Sequence, residues 1–252
     1  MWVEQAIFTS IPRRGRAGYH VVARSAGVPE VDVTALATWA PSHGALIVDA
    51  SNRTSINFHP LPSGRLALSR TCEGPAEYSG RGESQVYTHA LIFDVDALNE
   101  VESQPMVLFR DALAQGHLRY QRDPDPVLKP VELGVVHVPQ DPQSLMERVR
   151  MLEQQRLYPT EASKRVTKTD WNEASGGQGA LHEQAWANNC SIFEMVSKLA
   201  SGEPVRFRFP GDRIAVAECF LGLLPPERVP DASFSTSLQP SAVRPYRLQL
   251  VN

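Results

Sequence analysis

The run Gly64–Phe93, GRLALSRTCEGPAEYSGRGESQVYTHALIF, decides the fold class. Two strand-like segments, Arg65–Arg70 and Val86–Phe93, flank a crossing that carries Gly74, Gly80 and Gly82. The second segment has the densest β-branched and aromatic signal of the chain. The Gly-Arg-Gly before it lets the backbone turn sharply. Side chains alternate along a strand, so Tyr87, His89 and Leu91 share one face while Thr88, Ala90 and Ile92 share the other. Arg70, Glu77, Tyr78, Ser79, Arg81, Tyr87 and His89 all fall within this stretch. A segment that only closed a sheet would not need so many polar and aromatic groups, which makes these residues binding candidates.

Working toward the amino terminus, Val3–Ser10 and Tyr19–Ser25 read as neighbouring strands joined by the PRRGRAG turn. Short strands are expected at 45–49 and 54–58, and the HPLPSG turn joins the latter to Arg65. A helix is expected over Val33–Trp39, with Asp32 or Thr34 near its amino end. Toward the carboxyl terminus, Asp94–Glu102 reads as a short helix. Pro105 suits the first turn of another, which Gly116 ends. A proline-rich stretch over 122–141 holds one strand-like run at Glu132–Val138. Leu145–Leu157 repeats at a helical period. A second stripe runs from Leu181 through Ala185, Ile192, Val196 and Leu199, widened by Trp186 and Phe193. Val205–Phe209 alternates apolar residues with arginine, as an edge strand does. Ile214–Leu224 reads as a helix stopped by Pro225 and Pro226, and Arg247–Val251 as a last strand.

Strands gather early and helices late. The fold class is therefore α+β, with a mixed or antiparallel sheet in a strand-rich half and helices in the other. The expected division is residues 1–121 and 122–252.

Composition narrows function. The chain has 252 residues with a net charge of −3, which argues against nucleic acid as a partner. No apolar run is long enough to cross a bilayer, and the first residues are not a secretory signal. Three widely spaced cysteines, Cys72, Cys190 and Cys219, point to buried thiols in the cytoplasm. The seven histidines form no metal motif. The glycines match neither a phosphate-binding loop nor a dinucleotide fingerprint, so neither a metal nor another cofactor is expected. His89 reads as a hydrogen-bonded histidine if Leu91 packs inside. His59, held extended by Pro60, suits a site and a turn equally.

Several phrases occur in order: VEQAIFTS at 3–10, RAGYHVVARSAG at 16–27, WAPSH at 39–43, HPLPSGRLALSRT at 59–71, EYSGRG at 77–82 and VYTHAL at 86–91. Together they resemble the amino-terminal domain of GTPase-associated protein 1, a family of bacterial multi-gene conflict or signalling systems built around a GTPase. SFSTSLQPSAVRPYRLQL at 233–250 resembles the region that follows it. The resemblance implies an accessory protein with a protein partner such as the GTPase, and it adds Tyr19 and His20 to the binding candidates. It assigns no catalytic residue. It also implies a larger protein, of which this chain would be a portion. The leading expectation is a non-enzymatic adaptor or regulatory module. The alternative is a hydrolase or transferase in which Arg70 or Arg81 holds an anionic substrate while His89 or Glu77 moves a proton.

Overall fold

The structure is a computed structural model that describes residues 1–11, 18–49, 53–76, 84–134, 141–157 and 190–251. Ten strands among these residues form a single mixed sheet. They are β1 (Trp2–Ser10), β2 (Tyr19–Ser25), β3 (Thr54–Pro60), β4 (Leu66–Ala76), β5 (Ser84–Phe93), β6 (Val127–Leu128), β7 (Val131–Glu132), β8 (Val205–Arg208), β9 (Phe234–Ser235) and β10 (Leu248–Val251). The order across the sheet is β6-β2-β1-β5-β4-β3-β9-β10-β8, with β7 also paired to β1. From β2 to β9 all neighbours are antiparallel. The outermost pairs, β9–β10, β10–β8 and β2–β6, are parallel.

The described α-helices are α1 (Glu30–Trp39), α2 (Val95–Asn99), α3 (Pro105–Ala114), α4 (Pro142–Leu157), α5 (Ile192–Ala200) and α6 (Arg213–Leu223), followed by a 3-10 turn at Pro226–Asp231. The larger core lies on the face of Ile56, Phe58, Leu68, Leu91, Phe234 and Leu250, against apolar residues of α2 to α6. Helix α1 covers the other face, where Leu36 and Val28 meet Ala6, Ala67 and Ile92. It is pinned there by Asp32, which is buried and accepts from Ser63 N (3.1 Å), Ser63 Oγ (2.7 Å) and Arg65 Nη2 (3.0 Å). These donors sit in the β3–β4 turn, where Gly64 takes a φ of +86° that an L side chain resists.

The α+β reading holds, but strands are not confined to the first half. The proline-rich stretch returns β6 to β2 and β7 to β1 at one side of the sheet. At the other side, β9, β10 and β8 extend it beyond β3. Residues 45–49 do not form the expected strand; a single bridge joins Leu46 to Leu238. Helix α2 is shorter than expected, because the chain turns through positive φ at Glu102 and Ser103. Helix α5 buries Ile192, Met195, Val196 and Leu199, yet Phe193 is 47% exposed and does not widen the stripe. The expected positions 181, 185 and 186 lie outside the described residues. Strand β8 is the edge strand its pattern predicts, with Phe207 and Phe209 buried and Arg208 exposed.

Candidate functional site

The β4–β5 ladder pairs Arg70 with His89 and Cys72 with Tyr87, so these four share one face. Toward Leu68 and Leu91 that face belongs to the larger core; toward Cys72 and Tyr87 it enters a smaller apolar cluster with Ile7, Val22 and Ala23. His89 is 1% exposed, and its Nε2 lies 2.9 Å from Gln5 Oε1. The Gln5 amide nitrogen donates in turn to Lys129 O (2.7 Å). With that amide orientation the ring donates through Nε2 and is neutral. Burial pushes its pKa down to about 4, against an opposing pull from the Arg119 main chain. Nδ1 makes no hydrogen bond of ordinary geometry. Arg70 donates from Nη1 to Leu118 O (3.0 Å), bracing a loop in which Leu118 has a φ of 58°. The Cys72 thiol is pushed up by burial, with Arg70 acting in the opposite direction.

Beyond His89 the ladders diverge. Pairing of β1 with β5 ends at Phe8 and Thr88, whereas β4 and β5 stay paired to Ala76 and Ser84. The Val86 main-chain groups are captured by side chains instead: its N–H donates to Tyr19 Oη (3.0 Å), and its carbonyl accepts from Thr9 Oγ1 (3.0 Å). This splay opens a pocket of about 160 Å³. Its inner wall is Thr9, Ser10, Gln85 and Tyr87; Tyr120 and Arg122 stand on the rim. Tyr87 meets the Tyr120 ring edge-on at 4.9 Å. Ser10 Oγ and Tyr87 Oη are buried without a hydrogen-bond partner. The Gln121 main chain approaches the phenol and favours its ionised form, but burial dominates and raises its pKa well beyond neutrality.

Sequence reasoning pointed to this end of the sheet for a different set of residues. Of its candidates, Tyr87 lines the pocket, while Arg70 and His89 sit beside it in the same face, engaged elsewhere. Tyr19 lies against the opposite face, where its ring stacks on Phe8 (5.8 Å), and it reaches the splay through its hydroxyl. His20 Nδ1 is 2.8 Å from Gly18 O, a local turn contact. Glu77, Tyr78, Ser79 and Arg81 lie outside the described residues. Thr9 and Ser10 close the phrase VEQAIFTS, yet neither they nor Gln85 and Tyr120 are among those candidates, and their convergence depends on where one ladder stops.

On the α1 face a second group forms around His59. Its ring stacks on Trp39 (4.5 Å, planes 6° apart), and its Nδ1 donates to Pro60 O (3.1 Å). Burial lowers its pKa to about 4. The adjoining cavity is about 10 Å³, room for about one water rather than a ligand. Nearby hydroxyls and amides are satisfied across the sheet, Thr88 with Thr71 (2.9 Å) and Asn57 Nδ2 to Thr71 (3.1 Å), and within β3, Ser55 to Asn57 Oδ1 (2.8 Å). Among the described residues no group of three or more His, Cys, Asp and Glu side chains could hold a metal ion, and no helix is long and apolar enough to cross a membrane.

The family model for GTPase-associated protein 1, N-terminal domain type 2, matches residues 2–133. The chain belongs to this family. Comparison with curated proteins and with solved structures found no match. The span matched by the GTPase-associated protein 1 domain runs from β1 through β7 and contains every wall of the splayed pocket. The three strands that extend the sheet beyond β3 lie after it.

Proposed function

We propose that this chain is a non-enzymatic adaptor of a bacterial GTPase-associated system, and that it holds a protein partner, the system's GTPase, at the splayed end of the β1–β5 ladder. One observation carries this reading. The inner wall of the pocket presents hydroxyl, amide and aromatic groups, while of the histidine and cysteine beside it His89 is bonded internally and Cys72 is buried. A general base works best with a pKa near the operating pH, and His89 is held near 4 and bonded to Gln5. A nucleophilic thiol needs its pKa lowered, and burial raises that of Cys72. The hydrolase or transferase alternative has Arg70 or Arg81 hold an anion, and of these the Arg70 guanidinium reaches Leu118 O. The free thiols Cys72, Cys190 and Cys219 support a cytoplasmic setting.

The test is calorimetric titration of the purified chain with its system's GTPase, loaded with GDP or with a non-hydrolysable GTP analogue. A saturable complex in at least one nucleotide state is expected. Absence of binding in both states, together with turnover of a phosphate or carboxylate ester that His89→Gln abolishes, would establish the enzymatic alternative.

A further inference from the structure

We infer that the splayed pocket is a binding site for a carboxylate group of about the size of an acidic side chain. Two hydroxyls define its chemistry. Ser10 and Tyr87 are 0% and 1% exposed, and neither oxygen has a hydrogen-bond partner of ordinary geometry, the Gln121 main chain only approaching the phenol. Buried polar groups in folded proteins are nearly always paired, so two unpaired hydroxyls on one pocket wall mark a place where a ligand supplies the pairing. Both can donate, because burial keeps the phenol protonated. The Gln85 amide, 9% exposed on the same wall, brings further donors.

Charge selects among acceptors. Arg70, though its guanidinium is held by Leu118 O, lies on the same sheet face and its charge acts on Tyr87, so a negative group entering the pocket meets donors and positive charge together. Arg122 and Asp123 are both exposed on the rim and offset one another, which leaves Arg70 as the net charge beside the pocket. A phosphate ordinarily engages several backbone amides or a cluster of arginines, and this wall is built mainly of hydroxyls and one amide. Size agrees with a small acid. On the scale at which a cavity of about 10 Å³ holds one water, the 160 Å³ pocket has room for an acidic side chain together with several waters. The Tyr120 ring and Ile11 supply apolar surface for a methylene next to the carboxylate.

The carboxylate has two sources: an Asp or Glu side chain of a partner protein, or a free small acid. The first rests on the adaptor reading; the second does not. The experiment is titration of sodium acetate into the full isotope-labelled chain at constant ionic strength, followed by amide NMR, with acetamide as the neutral control. Acetate should give saturable shifts at Ser10, Gln85 and Tyr87, and acetamide should not. Tyr87→Phe and Ser10→Ala should each weaken acetate binding roughly tenfold or more, as loss of a hydrogen bond to a charged group does. Tyr87→Phe should keep or raise the melting temperature, since the hydroxyl it removes has no partner; if it fails to fold, Ser10→Ala carries the test. Equal response to acetate and acetamide, no saturable shift, or wild-type acetate affinity in both variants overturns the inference. If the variants lose acetate and also lose the GTPase, the partner supplies the carboxylate. If they lose acetate but keep the GTPase, the site belongs to a free acid, and the adaptor contact lies elsewhere.

Discussion

Replacing Phe234 by alanine should unfold both halves of the sheet together. Strand β9 has two residues, and through them β3 meets β10: Asn57 and Phe58 pair with Ser235 and Phe234, which pair in turn with Gln249 and Leu248. Phe234 is 0% exposed, and its ring stacks on Phe58 at 5.7 Å. Truncating such a ring costs about 4 kcal/mol, from lost burial and the cavity left behind. For a chain of this length each kcal/mol moves the melting temperature by about 2–4 °C, so a fall of about 8–16 °C is expected. Differential scanning calorimetry should show one transition, shifted as a whole. Two transitions of which only one moves, or a shift below about 3 °C, would mean that the two halves do not share a cooperative core.

Three further outcomes follow from the same contacts. His59 and His89 are neutral and buried with pKa values lowered to about 4, so below about pH 6.5 the unfolded chain binds protons that the folded chain refuses. Stability should be full above that pH and fall on acidification toward pH 4, by up to about 1.4 kcal/mol per pH unit for each ring; in urea melts at pH 7 and 5, His59→Phe should roughly halve the loss. Asp32→Ala removes the carboxylate partner of Arg65 and the acceptor of the Ser63 amide and should cost about 3 kcal/mol in chemical denaturation, with faster amide exchange in α1; a cost below about 1 kcal/mol would show that the brace is dispensable. A chain ending at residue 133 uncovers β3 along its β9 side and exposes Ile56 and Phe58, so it should aggregate in size-exclusion chromatography; a stable monomer would show that the family span is self-sufficient.

What could be read from the sequence was local. The alternation of Tyr87, His89 and Leu91 put His89 on the Leu91 face and made it a hydrogen-bonded histidine, and it is bonded to Gln5. Pro105 and Gly116 bracketed α3, and alternating arginines marked β8 as an edge. Tertiary context decided the rest. Strand β9 lies in the polar phrase SFSTS, which carries no strand periodicity; it is held by side chains such as Thr236 Oγ1, which accepts from Ile56 N (2.9 Å), and Ser55 Oγ, which accepts from Ser237 N (3.0 Å). Phe193 looked apolar in a helical stripe, but its angle on the helix turns it outward. The pocket follows from the end of β1–β5 pairing at Phe8, a register fact with no signature in Ser10 or Gln85 themselves.

Hydrogen exchange of the chain, alone and saturated with its GTPase, tests the adaptor account most directly. Protection is predicted at residues 8–11, 84–88 and 118–123, the walls of the splayed ladder. A complex that protects the β8 edge or α5 instead, and leaves those segments exchanging as in the free chain, would contradict it.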